Sequence, residues 1–89
     1  MQKVAVFGKP GSGKSTISKA IASATDLPLH QLDSIVYKPN GEPVERNVFD
    51  EAHSNILHSD RWIIDGLGPI SSFNARLDAA DTLVYIDLP

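Results

Sequence analysis

The sequence predicts an α/β domain built on a parallel sheet, and three observations carry that reading. Apolar runs at residues 3–7, 29–32, 62–64 and 83–86 have the length of buried strands. The segments between them repeat apolar residues at helical spacing. The resulting order, β-α-β-α-β-α-β, calls for right-handed crossovers that lay helices on the faces of the sheet.

Each element has a local reason. Lys3-Val4-Ala5-Val6-Phe7 is apolar and bounded by Gly8. After a Gly-rich stretch, Ile17, Ala20, Ile21 and Ala24 fall at i, i+3, i+4 and i+7, one face of a helix. Asp26-Leu27-Pro28 closes that helix, because Pro28 cannot continue it. Residues 29–32 form a weaker strand ending at Asp33, and residues 38–45, with Pro39, Gly41 and Pro43, form a loop. Asn47 is the expected N-cap of a second helix, with Asp50 in its first turn and Phe49, Ala52, Ile56 and Leu57 on its apolar face. Trp62-Ile63-Ile64 is the third strand, ending at Asp65-Gly66. A short helix over residues 71–77 leads to the fourth strand, which ends at Asp87. Ligands of such sheets sit beyond the carboxyl ends of the strands, where Gly8, Asp33, Asp65 and Asp87 fall.

Composition narrows the function. The 89 residues support a single domain, 1–89, and no cysteine is present, which excludes disulfides, thiolate zinc sites and thiol catalysis. No apolar run reaches the 18 or so residues of a membrane span, and the amino terminus lacks a signal-peptide pattern, so a cytoplasmic protein without a membrane partner is expected. Residues 1–40 carry five lysines against two aspartates, and residues 41–89 three arginines against nine carboxylates. A basic first part attracts an anionic ligand, whereas the acidic remainder repels a nucleic-acid backbone. No nucleic-acid partner is expected. His30, His53 and His58 have no metal-ligand spacing and read as ordinary core or surface residues.

The chemistry lies in Gly8-Lys9-Pro10-Gly11-Ser12-Gly13-Lys14-Ser15, which matches G-x-x-x-x-G-K-[ST] at every fixed position. Glycines let the backbone wrap an anion with its N–H groups turned inward. The helix that follows directs its unpaired N–H groups and positive dipole end at the same point. Lys14 reaches the β- and γ-phosphates of a nucleoside triphosphate, and Ser15 offers a hydroxyl to Mg²⁺. The match sits between an apolar strand and an amphipathic helix, the context such a loop requires.

Asp65 ends an apolar strand whose tip belongs beside this loop, where a carboxylate holds Mg²⁺; the plainer alternative is an Asp-Gly turn. Asp33 either orients and deprotonates an acceptor hydroxyl or caps a helix. Asp87 is read as structural. Arg46 and Arg76 either touch a substrate phosphate or solvate a face. Asp65-Gly66-Leu67-Gly68 also fits D-x-x-G, but no N-K-x-D segment accompanies it, which disfavours a GTPase.

Residues 4–8 leading into Pro10-Gly11-Ser12-Gly13-Lys14-Ser15-Thr16 resemble the adenylate-kinase-like group of P-loop kinases. Leu29 to Asp33, Tyr37-Lys38-Pro39, Arg61-Trp62-Ile63-Ile64-Asp65-Gly66 and Tyr85-Ile86-Asp87-Leu88-Pro89 are similar to bacterial proteins described as topology modulation or adenylate-kinase-related proteins. The resemblance implies a P-loop NTPase fold, three-layer α/β/α, with strand order 2-3-1-4 and a fifth strand and lid missing from these residues. It implies that Gly8, Lys9, Pro10, Gly11, Ser12, Gly13, Lys14, Ser15 and Thr16 bind ATP, that Ser15 and Asp65 serve Mg²⁺, and that Asp33 and Arg46 face the acceptor. Lys14, Asp33 and Asp65 would be the catalytic set. Leu67-Gly68 departs from the Asn-Tyr pair common in relatives.

The expected function is phosphoryl transfer from Mg-ATP to a small-molecule acceptor, feeble in these 89 residues because the lid arginines fall outside them. The alternatives are a nucleotide-binding regulatory module and an inactive fragment. An unpaired edge at residues 83–86 is a route to self-association.

Overall fold

The computed structural model describes residues 1–8 and 14–86, except for the side chains of Lys14 and Ser15. Four strands, β1 (Lys3–Gly8), β2 (Leu29–Gln31), β3 (Trp62–Asp65) and β4 (Thr82–Ile86), alternate with helices α1 (Lys14–Thr25), α2 (Asp33–Val36), α3 (Arg46–Leu57) and α4 (Ile70–Ala79). The sheet order is β2-β3-β1-β4 and every pairing is parallel. The sequence-based fold class and strand order hold.

Side-chain alternation on the central strands builds two cores. Val4 and Val6 of β1, Ile63 of β3 and Ile86 of β4 pack with Leu27 beneath Ile17 and Ile21 of α1. On the opposite face Trp62 and Ile64 of β3 meet Leu32 and Phe49, with Ile56 and Leu57 of α3 around them. Phe7 turns to this second side, its ring 5.2 Å from that of Phe73 on α4. β3 is buried along its whole length, which explains its unbroken apolar run.

Two local features, the end of the second strand and the cap of α3, differ from the sequence-based expectation, while the expected loop over residues 38–45 takes a defined path. The second strand stops at Gln31, and Asp33 opens the one-turn helix α2 instead of ending the strand. Residues after α2 fold back on themselves, with Lys38 N–H donating to Glu42 and Val44 N–H to Val36, which draws the Pro-rich loop into a tight return. The N-cap of α3 is Glu45 in extended conformation, one turn-forming residue before Arg46, so Asn47 lies inside the helix and caps nothing. The Phe49 amide takes the Glu45 carbonyl 3.0 Å away, closing the first turn there. At the other end of α1, Asp26 takes the left-handed conformation that stops a helix (φ 63°), and its N–H donates to Ala22.

Gly8 marks the place where β1 must give way to the phosphate loop. A Cβ there would lie 2.2 Å from the Ile86 carbonyl oxygen of β4. Only glycine lets β1 and β4 approach so closely. β4 is an edge of the sheet among the described residues, and Leu83 and Tyr85 are more than half exposed on it.

Candidate functional site

The register of the sheet brings the sequence-predicted carboxylate beside the end of β1. Val6 pairs with Asp65, and the Gly66 amide donates to the Val6 carbonyl, so β3 ends level with the last turn of β1 before Gly8. On the other side Gln31 pairs with Asp65, and the Leu32 amide donates to the Asp65 carbonyl. Asp65 is only 4% exposed. Its Oδ2 accepts a hydrogen bond of 2.7 Å from the Ser18 hydroxyl of α1. Ser18 is fully buried and stands one turn after Lys14, so the carboxylate is held against the opening of the helix that follows the phosphate loop.

Ser18 is a residue that sequence reasoning missed. The available signal was its spacing, three residues after Ser15 and four after Lys14, which puts it on the same side of α1. Lys9, Pro10, Gly11, Ser12 and Gly13, named above as phosphate-binding, lie outside the described residues, as does Asp87. Lys14 and Ser15 are placed by their backbone at the start of α1, and Thr16 follows them there, exposed.

Asp33 stands at the carboxyl end of β2, on the same end of the sheet as Asp65, and is exposed. With Ser34, Tyr37, Lys38 and Pro39 it lines a concavity of about 390 Å³. Arg46 begins α3, half-exposed, in a 2.9 Å ion pair with Asp50 one turn on. It also donates to the Ser71 hydroxyl at the start of α4. Beside it Val36, Pro43, Val44, Phe49 and Pro69 form an apolar hollow. Arg46 therefore stands at the edge of a groove between α3 and the turn after Asp65, engaged with neighbours on both helices.

That turn is built for close packing. Gly66 has φ 128° and Gly68 φ 63°, values that L side chains rarely adopt. A Cβ on Gly66 would meet the Leu32 Cβ at 3.0 Å.

Arg76 of α4 is turned inward, away from solvent. It is fully buried, and its Nη2 donates to the carbonyls of Gly66 (2.9 Å) and Leu67 (2.6 Å). Its Nη1 lies 3.1 Å from His53 Nε2, and since arginine can only donate, the imidazole must accept there. Burial pushes the Arg76 guanidinium down to about 10. Burial also lowers His53, the Arg76 charge lowers it further, and Asp50 opposes both. The reading of Arg76 as a residue that solvates a face does not hold. Its role is set by neighbours 9 and 23 positions away in the chain, which no local pattern announces.

Among the described residues no three His, Cys, Asp or Glu side chains gather as a metal cluster. No described helix is long and apolar enough to cross a membrane.

The chain is 32% identical to a shikimate kinase of Rhodococcus jostii (strain RHA1), over an alignment of 99 positions covering 97% of this chain and 59% of that protein. It superposes on the crystal structure of a gluconokinase from Sinorhizobium meliloti 1021 with a TM-score of 0.58, at 22% identity, covering 99% of this chain and 57% of that one. The two share a fold, a parallel sheet covered by helices. This chain thus spans a little under three fifths of the length of each of these kinases. No family model matches it.

Proposed function

We propose that this chain binds Mg-ATP at residues 8–16 and forms the nucleotide-binding part of a kinase acting on a small hydroxylated molecule. The observation that carries the reading is the Asp65 carboxylate, buried and held by Ser18 beside the start of α1. A carboxylate and a serine hydroxyl are hard oxygen donors, the set Mg²⁺ prefers, so the residues fit the ion. When bound, Mg²⁺ neutralises charge on the phosphate oxygens.

The chain's own groups divide the remaining work. Backbone N–H groups of Gly8, Lys9, Pro10's neighbours and Gly11 to Gly13 cradle the phosphates, and Lys14 balances the charge of the β- and γ-phosphates. Ser15 and Asp65 hold the ion, and Ser18 fixes the Asp65 carboxylate. Thr16 extends the phosphate contacts at the helix start. Asp33 orients the acceptor hydroxyl and takes its proton, and Arg46 draws an anionic group of the acceptor to the apolar hollow beside Phe49. Shikimate, named for the Rhodococcus relative, is the first acceptor to try.

Turnover by the 89 residues alone is expected to be slow. Phosphoryl transfer needs cations beside the developing charge. None of the three arginines is assigned to the transferred phosphoryl group: Arg76 is buried, Arg61 donates to the Thr25 carbonyl, and Arg46, paired with Asp50, serves the acceptor.

Calorimetry on the full chain tests the binding step. Micromolar affinity for Mg-ATP that is lost in Lys14→Ala is the expected result. No binding by the unaltered chain would overturn the proposal. A nucleotide-using regulatory module would bind equally well but transfer no phosphate to any acceptor.

A further inference from the structure

Arg76 is an expensive residue to bury. Its cation is fully removed from water, no carboxylate pairs with it among the described residues, and its Nε has no partner there. Its contacts are two main-chain carbonyls, a neutral histidine and the Phe73 ring, 5.3 Å from the guanidinium carbon. A buried cation without a counter-charge carries a desolvation cost that an apolar side chain would avoid. Core filling alone is therefore a poor account of it.

The two carbonyls say what the guanidinium does. They belong to Gly66 and Leu67, the residues that directly follow Asp65. Both groups point into the protein because the chain turns through positive φ at Gly66 and Gly68. The planar fork of Arg76 takes both from a single nitrogen, while its other arm reaches His53, which stacks on Phe49. Past Gly68, Pro69 caps α4 and forms one wall of the hollow beside Arg46. One side chain thus ties the exit from β3, the start of α4 and the inner face of α3.

We propose that Arg76 is a positioning residue of the nucleotide site. It fixes the turn that leaves Asp65, and so holds the metal-binding carboxylate and the acceptor-side wall at Pro69 in one geometry. The proposal rests on the reading of Asp65 as a Mg²⁺ ligand. Outer-shell groups that orient a metal ligand typically change metal affinity 10- to 100-fold when altered.

The readout is the gain in ATP affinity when Mg²⁺ replaces EDTA, compared between the unaltered full chain, Arg76→Met and Arg76→Lys. Both variants should lose about 10-fold or more of that gain while retaining metal-free ATP binding and a cooperative thermal transition. Lysine keeps the charge but has one nitrogen, so it cannot hold the two carbonyls and His53 together, and failure of Arg76→Lys to restore the gain separates geometry from charge. An unchanged gain in either folded variant would overturn the proposal. Should both variants fail to fold, the unaltered chain still decides: slow exchange of the Arg76 guanidinium protons supports the clamp, and exchange as fast as at exposed Arg61 refutes it. Absence of ATP binding to the unaltered chain would overturn the nucleotide reading and the role built on it, while the exchange rates would still report whether the clamp exists.

Discussion

At the residue scale, the two strongest constraints are a missing atom and a buried charge. Gly8 is required because its strand neighbour leaves no room for a methyl group, with the Ile86 carbonyl oxygen 2.2 Å from where a Cβ would sit. That obstacle is backbone, which cannot rotate aside. Gly8→Ala is therefore expected to destabilise the ligand-free protein by about 1–3 kcal/mol, read as a lowered midpoint of thermal denaturation. Gly41 has positive φ (88°) but faces open space. Gly8→Ala should thus act through the β1–β4 contact, while Gly41→Ala should show only the smaller backbone penalty. Sequence inspection finds Gly8 through the phosphate-loop pattern, yet the pattern gives its reason as close wrapping of an anion by the backbone. The sheet adds a second reason that the motif does not contain.

At the element scale, α3 and α4 are joined by a polar contact inside a mostly apolar interface. His53 of α3 accepts from Arg76 of α4 and stacks on Phe49, with ring centroids 5.5 Å apart. Protonating His53 would remove its acceptor and set a second cation against Arg76. Its folded-state value is depressed below the usual 6.5, by burial first and by Arg76 second. The unfolded chain therefore binds the proton more readily, and stability present above about pH 6.5 is lost as pH falls towards the lower folded value. His30, also lowered by burial, acts in the same direction and the same window. Asp81 is lowered as well, but from 3.8, so its contribution belongs to more acidic solutions. Denaturant titrations between pH 7 and pH 5 should show falling stability in the unaltered protein. In His53→Gln that slope should be shallower but not absent, because His30 remains. A slope unaffected by the substitution would place the pH sensitivity elsewhere.

At the scale of the whole molecule, the sheet has two different edges among the described residues. β2 is short and leads directly into α2, whereas β4 is five residues long and carries exposed Leu83 and Tyr85. An unpaired, apolar edge of this kind is a template for another strand. We propose that the 89-residue chain associates through β4 with a second copy of itself. Light scattering should show a mass that rises with concentration, and Leu83→Lys should suppress the rise. A monomer at all concentrations would refute the association.

The strands and most of the helices were legible in the sequence because their causes are local. Continuous apolar runs require a sheet covered on both sides, and β3, buried from Trp62 to Asp65, shows that requirement met. Proline and left-handed Asp26 ended α1 where the pattern placed its end. The misplaced features were the short ones. One turn at Asp33–Val36 is too brief for periodicity to register, and the cap of α3 moved to Glu45 because an extended approach from the folded-back loop fixed it there.

By itself, then, the sequence determined the phosphate-loop pattern, the parallel sheet and the carboxylate at the end of β3. Each follows from residue type and spacing along a few consecutive positions. Only the tertiary structure decided that Ser18 holds Asp65, that Arg46 reaches Ser71, and that Arg76 is buried against Gly66, Leu67 and His53. The physical reason is reach. A backbone conformation is set within a few residues, but the partner of a buried polar side chain is chosen by the packing of segments far apart in the chain.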